Sequence, residues 1–586
     1  MQLDKSKNKI AQIEIVSNNS EEITENILSA IKKFNLNSYF STHSAVKRCG
    51  KAGVNILLTL LLLPFWGETS VSSLFTRGLN KLEDGQKDAY YDLKNNEKIK
   101  WRSLLIVVAK RFMFLMNQSD ENLLVINEGI EKIKAIVFDD TKIEKTGVHI
   151  EGVGYVHSHT SNTYLLGYKL LVCGFWEGKS FNPIDFSFHK ETRDKDIKKT
   201  AEKLKKEKER VHKKELEIKE AKESKTLIKK ELKAIQKDSS KKSKASNKKI
   251  IEKKQRILSR KDVKINDLKI ELKALKIKAR ETEDKYIELK STYRHCGLTA
   301  KVLKEQFKKT RDRKSAGYKR IKEMEMSKID VAITMLKRAV KQGFVPDYVI
   351  TDTWFFCQKF LLAVINTGRS INLLSMAKIG TTNYMVLQDN KLLNAHQIIA
   401  NYERTKSKTC RKYKARYFSI MAEYQEIKVK LFFVRFNSHH TWRLLVTTDL
   451  KISFTKIMDV YKIRWTIEVF FKECKQYLLL GKCQSRDFDA QIADTTLSLI
   501  RYILLSFYKR IHYGTTIGGI FQKLKQEATK ENLLTDIRVC FIKLLSIFAN
   551  IGGIDIFDFF QNLLKNPENE LLLQKIIGDG NKIVVR

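Results

Sequence analysis

Residues 191–290 constrain the fold most strongly, because they contain neither glycine nor proline and are dominated by charged residues. Their apolar residues form two thin stripes on either side of a Ser/Asn/Lys-rich segment at 239–247: Leu204, Val211, Leu216, Ile218, Leu227, Leu232 and Ile235, then Ile250, Ile257, Val263, Leu268, Leu272 and Leu275. A thin apolar stripe on a charged helix is typical of a coiled-coil seam. The pattern predicts a basic helical hairpin that reverses near 239–247. Its surface could contact DNA, a second protomer or nothing.

The segments on both sides of this hairpin have the apolar pattern of strands. Ala135–Phe138 runs into Asp139. Tyr348–Thr351 ends at Asp352. Further β-type runs lie at 151–159, 168–174, 384–387, 429–436 and 442–447, and a helical run lies at 355–365. Strands and helices in this order predict an α/β fold, with a mixed sheet flanked by helices.

A chain of 586 residues is too long for one hydrophobic core, so several regions are expected. They are a helical N-terminal region (1–130), the first part of an α/β core (131–190), the basic coiled-coil insertion (191–325), the second part of the core (326–380), a β-rich insertion (381–450), the last part of the core (451–515) and a C-terminal helical region (516–586). The N-terminal region could bind DNA ends or could be a packing domain with a basic surface.

The net charge of +43 at pH 7 implies a polyanionic partner, because each neutralised phosphate releases counterions and adds affinity. Nucleic acid is the first candidate, and a membrane surface is the second. The longest apolar run, Ile56–Phe65, is about half the length that a membrane span needs, so it predicts a buried core helix. The basic residues are not gathered on one amphipathic face, so no membrane partner is expected.

The eight cysteines are scattered and form no CxxC pair. Neither a disulfide framework nor a zinc site is therefore expected. The N-terminus is polar and mixed in charge, unlike a secretory signal. These features predict a cytoplasmic protein with reduced thiols.

Residues 461–475 (YKIRWTIEVFFKECK) carry four polar residues on one helical face. Tyr461, Arg464, Glu468 and Lys475 are spaced three, four and seven residues apart, which brings them together at 3.6 residues per turn. A carboxylate can ligate a metal ion, and cations and a phenol can hold phosphate oxygens beside it. The face suits phosphodiester cleavage, although an ion-pair ladder on a partly buried helix would show the same spacing.

Two aspartates, Asp139 and Asp352, stand at strand ends, where metal ligands are common. With Glu468 they predict a three-carboxylate cluster that holds Mg²⁺ through hard oxygen ligands. Two such ions about 4 Å apart can activate the attacking oxygen and stabilise the leaving oxygen of an in-line displacement. One strand-end aspartate would more simply be a turn or cap residue. Two of them with the patterned helix, in a basic chain, favour the catalytic interpretation.

This constellation resembles the DDE transposases of the IS4 type, the Tn5-transposase-like group. Their first aspartate lies in an Asp-x-Thr/Ser sequence, matched here by residues 139–141 (DDT), and their second lies at a strand end, as in residues 352–354 (DTW). Their glutamate lies in a Y-x2-R-x3-E-x6-K signature, which residues 461–475 match at every spacing. The resemblance covers about residues 87–510.

The resemblance implies an RNase H-like catalytic core with Asp139, Asp352 and Glu468 as catalytic metal ligands for two Mg²⁺ or Mn²⁺ ions. It implies a DNA transposase that cuts at the ends of an insertion sequence and transfers the strand to target DNA. The other three signature residues would orient phosphates near the cut. Trp442, in a strand before the signature, would stack on an extruded base or would pack under the sheet.

The implied partners are the terminal inverted repeats and the target DNA, and transposition needs two ends, so a homodimer in the synaptic complex is expected. The implied location is the bacterial cytoplasm, in association with the nucleoid. The alternatives are a related RNase H-like DNA nuclease and an inactive, non-catalytic DNA-binding protein.

Two features depart from the family's pattern. The basic hairpin is not a general feature of the family. Asp139 is followed by Asp140, and adjacent side chains in a strand face opposite ways, so only one can point into the site. The Asp-x-Thr pattern favours Asp139, and Asp140 is then expected to cap or hydrogen-bond the following turn.

Overall fold

Two units make up the computed structural model of this chain. The first comprises stretches within 1–145, 168–189 and 307–586, and the second comprises stretches within 146–167 and 190–306. The structure describes residues 13–17, 32–36, 38–39, 53–76, 86–122, 133–158, 161–191, 194–237, 244–292, 297–438, 441–511, 516–526 and 581–585.

Helices and strands occur in successive groups along the described chain. The helices are α1 (Gly53–Leu62), α2 (Val71–Thr76), α3 (Lys87–Asn95), α4 (Trp101–Asn122), α5 (Asp194–Lys237), α6 (Lys244–Thr292), α7 (Ala300–Glu305), α8 (Ala316–Glu323), α9 (Lys328–Lys341), α10 (Gln358–Ile365), α11 (Ala395–Lys406), α12 (Phe454–Lys462), α13 (Trp465–Tyr477) and α14 (Phe488–Ile511). The strands are β1 (Ile13–Ser17), β2 (Ala135–Glu144), β3 (Gly154–Ser158), β4 (Thr163–Trp176), β5 (Phe181–His189), β6 (Tyr348–Thr351), β7 (Asn372–Ala377), β8 (Asn383–Val386), β9 (Lys391–Asn394), β10 (Lys408–Cys410), β11 (Ala415–Tyr424), β12 (Ile427–Phe436), β13 (Arg443–Thr447) and β14 (Asn581–Val585).

A mixed, largely open sheet forms the centre of the first unit. Strand β2 pairs in parallel with β6, and β6 pairs in parallel with β7. On its other side β2 lies next to β4, which pairs antiparallel with β5. Beyond β7 the sheet continues antiparallel through β13, β12, β11, β8 and β9. The strands between 381 and 450 therefore extend the sheet of the core.

The central strands are apolar along their buried parts. Ala135–Phe138 of β2 and the whole of β6 are buried. Strands that are buried on both faces have continuous apolar sequences, because other elements cover both faces of the sheet. Since β2 and β6 run parallel, the residues that follow their buried parts meet at the same edge of the sheet.

Helix α14 is buried along most of its length, which agrees with its largely apolar sequence. Its buried Arg501 donates hydrogen bonds to the carbonyls of Leu60, Leu61 and Leu478. Carbonyls at the C-terminal ends of helices lack partners within their own helix, and these three lie at the ends of α1 and α13. One arginine thus ties α1 to α13, which carries Glu468 and Lys475 of the signature.

The apolar run Ile56–Phe65 forms most of α1 and the 3₁₀ turn Leu63–Trp66, and nearly all of it is buried. The prediction of a buried core helix is confirmed. Gly67, at φ 78°, ends the turn, and its N–H donates to the Pro64 carbonyl at 3.1 Å. None of the helices in the described residues combines the length and the apolar character needed to cross a membrane.

The second unit contains the long helices α5 and α6, which contact each other along their length. Most buried or half-buried positions of α6 recur at alternating intervals of three and four residues: Ile251, Lys254, Leu258, Lys261, Ile265, Leu268, Leu272, Leu275, Ala279, Thr282, Tyr286 and Leu289. Those of α5 follow the same rule: Leu204, Glu207, Val211, Lys214, Ile218, Ala221, Lys225, Ile228, Leu232 and Ile235. This is the spacing of heptad positions a and d. Five apolar residues predicted to form the seam do not follow this spacing and are exposed instead: Leu216, Leu227, Ile250, Ile257 and Val263.

Ion pairs between α5 and α6 define their relative direction. Lys208 pairs with Glu283 at 2.7 Å, and Lys214 pairs with Glu271 at 2.8 Å. The partner on α6 moves back along the chain as the position on α5 advances, so the helices are antiparallel. Residues 238–243, within or beside the predicted reversal, lie outside the described residues.

Residues 307–325 belong to the first unit, although their composition assigns them to the insertion. Lys309 lies 3.0 Å from both Asp487 and Asp489, and Arg311 lies 3.3 Å from Asp487 and 3.0 Å from Asp489. These charges are therefore paired inside a folded unit, which composition alone cannot indicate. Of the C-terminal region predicted to be helical at 516–586, the structure describes 516–526 and 581–585 only. The first of these segments is helical, whereas the second forms β14 and pairs antiparallel with β1.

Candidate active site

Asp139 and Asp352 stand at equivalent positions of two neighbouring strands. The parallel register pairs Val137 with Ile350, and each aspartate lies two residues further along its strand. Side chains two residues apart point to the same face of a sheet, so the two carboxylates lie side by side. Asp352 directly follows β6, as predicted, whereas Asp139 lies inside β2, which continues to Glu144.

The carboxylate of Asp139 accepts two hydrogen bonds. Its Oδ1 accepts from the Asp140 N–H at 2.8 Å, and its Oδ2 accepts from Arg464 Nη1 at 3.2 Å. The pKa of Asp139 is raised to about 7, first by burial and then by the charges of Asp352 and Asp140, while Arg464 acts in the opposite direction. Near neutral pH this carboxylate therefore favours a proton or a cation beside it.

Asp352 is held by its own turn and by β7. Its Oδ1 accepts from the Trp354 N–H at 3.0 Å, and its carbonyl accepts from Ser375 Oγ at 3.1 Å. The buried Thr351 hydroxyl donates to Ser375 at 2.9 Å and fixes the end of β6. Burial raises the pKa of Asp352, and the charge of Asp140 adds to this rise.

The signature residues span two consecutive helices instead of the single helix that their spacing predicts. Tyr461 lies in α12, and α13 begins at Trp465. The intervening Ile463 and Arg464 keep helical backbone angles, so the direction of the chain changes little. Hydrogen bonds from Arg464 and Lys475 show that this helical segment faces β2.

Arg464 connects two of the three predicted catalytic carboxylates. Its Nη1 donates to Asp139 and its Nη2 donates to Glu468. The side chain of Glu468 is 35% exposed, which leaves it accessible from solvent. Further along α13, Lys475 Nζ donates to Thr141 Oγ1 at 2.7 Å. The threonine of the Asp-x-Thr sequence thus anchors the lysine of the signature.

Burial shifts the pKa values of Tyr461 and Lys475 in the directions that disfavour their charged forms. The pKa of Tyr461 is raised to about 12 by burial, and the charges of Asp352 and Asp139 add to this while Arg464 opposes it. The phenol is therefore protonated at neutral pH and can donate a hydrogen bond. Burial lowers the pKa of Lys475, and a neighbouring lysine contributes.

The donor set fits a hard divalent cation after one rearrangement. Asp139 and Asp352 offer carboxylate oxygens, which Mg²⁺ prefers, and their pKa values are raised first by burial and then by neighbouring carboxylates. Glu468 is turned to Arg464, whose guanidinium lies between it and Asp139. In the described part of the chain, no three His, Cys, Asp or Glu side chains converge closely enough to hold a metal ion. Glu468 would therefore have to leave Arg464 to complete the predicted cluster.

Asp140 and Lys328 also belong to this site. The carboxylate of Asp140 lies 2.9 Å from Lys328 Nζ, which lies 3.9 Å from the centre of the Trp354 ring. Strand β2 continues through Asp140, so this residue does not cap a turn as expected. Lys328 is the first residue of α9. Nothing in the sequence pattern relates it to Asp140, and only the fold brings the two together.

Two exposed tryptophans lie close in sequence to the carboxylates. Trp354 is 48% exposed and follows Asp352 by two residues. Trp465 is 61% exposed and precedes Glu468 by three residues. Exposed indoles offer flat surfaces on which nucleobases can stack. Their position next to predicted metal ligands is the signal that could have identified them from the sequence.

Trp442, the tryptophan expected to stack on an extruded base, lies just before β13 and is half-buried. Its ring meets Phe418 edge-on, with the ring centres 5.4 Å apart. The Arg435 guanidinium lies 4.8 Å from its centre. The contact with Phe418 fits packing, and the accessible part of the ring fits stacking, so its role stays a prediction.

One family model matches part of the chain. Residues 325–504 match the family model described as the transposase DDE domain. The match includes Asp352 and the 461–475 signature but not Asp139. It supports a DDE transposase as the class of protein to which this chain corresponds. No curated protein matches the chain.

One solved structure that is similar to the chain is titled a cryo-EM structure of the piggyBac transposase synaptic complex with hairpin DNA. The two share 8% sequence identity, with 89% of this chain and 83% of that chain covered. The TM-score is 0.36, and at that level the likeness carries no argument about this chain.

Proposed function

We propose that this chain is a DNA transposase of the IS4 type, which cuts at the ends of an insertion sequence and joins the freed strand to target DNA. One observation carries the proposal: Asp139 and Asp352 lie side by side on β2 and β6, and Arg464 links Asp139 to Glu468. The family match over residues 325–504 supports the same class. The mixed sheet, in which β2 lies between β4 and β6, is compatible with an RNase H-like core.

Asp139, Asp352 and Glu468 are the residues that would hold divalent cations, Mg²⁺ or Mn²⁺. When bound, two such ions lower the pKa of the attacking water or hydroxyl group and stabilise the leaving oxygen. The protein's own part is to keep Asp139 and Asp352 adjacent and to keep their charges poorly compensated. The side chain of Glu468 is exposed enough to leave Arg464 and to bind another cation in its place.

The three cationic or phenolic signature residues would bind the DNA backbone. Once Arg464 releases Glu468, its planar guanidinium can bind two phosphate oxygens at once. Lys475, held by Thr141, supplies a point charge, and the protonated phenol of Tyr461 supplies a hydrogen-bond donor. These groups would hold the scissile phosphate against the carboxylates and so fix the geometry of attack.

The partners that follow from this proposal are the terminal inverted repeats and the target DNA. A transposase must bring two ends together, so two copies of the chain would act in one synaptic complex. The large positive charge suits DNA. A bacterial cytoplasmic location in association with the nucleoid follows from the same reasoning.

The test is cleavage of DNA that carries the sequences flanking the coding region. Wild type should cut at the repeat boundary with Mg²⁺ and not with EDTA. Glu468→Gln should bind the DNA but not cut it. Glu473→Gln is the matched control, because Glu473 lies on the same helix but none of its described contacts is with the two aspartates. Cutting by Glu468→Gln at the wild-type rate would rule out the assigned role.

A non-catalytic DNA-binding protein is the second candidate, because Arg464 already pairs with both Asp139 and Glu468. It would bind the DNA without cutting it, with or without metal. A related nuclease without transposition would cut DNA in a metal-dependent way but would show no preference for the flanking repeats.

A further inference from the structure

Three apolar side chains on α6 lie opposite its seam with α5. Val263, Ile270 and Ile277 are 61%, 68% and 53% exposed. They are seven residues apart, and with the seam at heptad positions a and d they all fall on position f, the face opposite α5. Single exposed apolar residues are normal on a protein surface, whereas a regular row on a strongly charged helix requires a physical reason.

We propose that this row, the outer stripe, is the contact surface for the outer stripe of a second copy of this chain. The row is about 21 Å long at 1.5 Å per residue. A period of seven residues lets two helices stay in contact along a supercoiled seam. Ala274 lies on the surface between Ile270 and Ile277, so a second helix can approach closely there.

The charges beside the outer stripe complement a second copy. In a parallel pair the b side of one helix faces the c side of the other, which places Arg280 opposite Glu281 of the second copy. In an antiparallel pair centred on Ile270 the two c sides face each other, which places Arg260 opposite Glu281. Either orientation therefore gives Glu281 an arginine partner from the second copy.

Nucleic acid suits the outer stripe less well. Phosphates gain affinity from cations and gain nothing from three aliphatic side chains. Lysines of α6 lie largely beside the seam, at positions e and g, as Lys264, Lys269 and Lys278 do. DNA and a second copy would therefore use different faces of α6. This inference uses no residue of the candidate active site and does not depend on the proposed function.

The test is disulfide formation between full-length copies that carry one introduced cysteine. Ile270→Cys should crosslink under mild oxidation in either orientation, because Ile270 is the centre of the stripe. In a parallel pair, copies with Val263→Cys should crosslink with each other, and so should copies with Ile277→Cys. In an antiparallel pair, a crosslink should form only between a Val263→Cys copy and an Ile277→Cys copy. Ile287→Cys is the matched control, since Ile287 is 57% exposed but lies at position b. Wild type gives the background from the native cysteines.

A second variant separates docking from folding. Ile270→Gln with Ile277→Gln leaves the charge and the α5–α6 seam unchanged, so helix content should stay the same. Self-association measured by sedimentation velocity should weaken at least tenfold. Crosslinking of Ile270→Cys no greater than that of Ile287→Cys would overturn the proposal. Unchanged self-association with weaker DNA binding would also overturn it, in favour of nucleic acid.

Discussion

The helix pair of the second unit and the carboxylate site of the first unit are built from different kinds of sequence information. The helix pair repeats one local rule, a seam residue every three or four positions. The site joins residues that no local rule relates: Asp139 and Asp352 meet through the pairing of β2 with β6, and Arg464 comes from the junction of α12 and α13. Repetition determines the shape of the hairpin, whereas long-range contacts assemble the chemistry.

The largest expected effect comes from Asp352→Asn. Cleavage should fall about 100-fold or more, because even partners of metal ligands cost ~10–100-fold when replaced. The same change should raise the melting temperature of the metal-free protein at pH 8, because it removes one of two partly buried carboxylates that repel each other. Cleavage assays and thermal unfolding of one preparation check both effects.

Asp347→Asn is the control for this prediction. Asp347 lies just before the same strand, where its side chain accepts a hydrogen bond from the Lys134 N–H at 2.7 Å. An asparagine oxygen can still accept that bond, so cleavage should persist. A lower melting temperature with normal cleavage in Asp352→Asn would contradict the account of the site.

The second effect concerns the helix pair and its repeating seam. Ile265 is 5% exposed on the seam, and Ile270 is 68% exposed. Ile265→Ala should destabilise the helix pair by about 2–5 kcal/mol, whereas Ile270→Ala should change its stability by about 0.5 kcal/mol or less. Hydrogen exchange of amides in α5 and α6 measures both. Equal effects from the two substitutions would mean that the seam is misassigned.

The third effect is the pH dependence of stabilisation by metal. The pKa of Asp139 is about 7 in the folded, metal-free protein and ~3.9 in an unfolded chain. Between these pH values the folded state binds more protons than the unfolded chain does, so the free energy of unfolding falls as pH rises through this window. At pH 8 a cation relieves this loss, and at pH 6 it must first displace a proton.

Mg²⁺ should therefore raise the melting temperature more at pH 8 than at pH 6. Thermal unfolding with and without Mg²⁺ at the two pH values measures the difference. Asp139→Asn should remove it. The same gain at both pH values in the wild type would mean that Asp139 does not titrate in this site.

The smallest effect is expected from Lys328→Met. The ammonium of Lys328 lowers the pKa of Asp352, so its loss should shift the pH dependence of cleavage to higher pH. At pH 6.5 the rate should fall about fivefold or less, because a close pair of charges in water interacts by ~1 kcal/mol. Lys341→Met, in the last turn of the same helix, should leave the pH profile unchanged.

The sequence predicts the central strands and the helix pair because each has a clear local pattern. Continuous apolar runs mark the buried parts of β2 and β6, and the thin stripes mark α5 and α6. The spacing of Tyr461, Arg464, Glu468 and Lys475 identifies the signature through its resemblance to a family. The limit of the insertion near 306 is not predictable, because residues 307–325 have the same charged composition but pair their charges in the first unit.

The contacts of the site lie beyond local pattern. The spacing places Arg464 near Glu468 but does not reveal that it also binds Asp139, more than 300 residues away in sequence. The partnership of Asp140 with Lys328 likewise depends on where α9 packs. Such contacts are set by tertiary structure. They explain why Glu468 contacts Arg464 in the structure, whereas the sequence predicts that Glu468 joins Asp139 and Asp352 in a three-carboxylate cluster.

The most direct test of the central claim is a titration of the protein with Mn²⁺, followed by the paramagnetic resonance signal of the free ion, in the presence of end DNA. Wild type and Glu473→Gln should bind the ion with equal affinity. Asp139→Asn, Asp352→Asn and Glu468→Gln should each bind it at least tenfold more weakly. Binding that none of these three substitutions weakens would show that the carboxylates do not form a metal site.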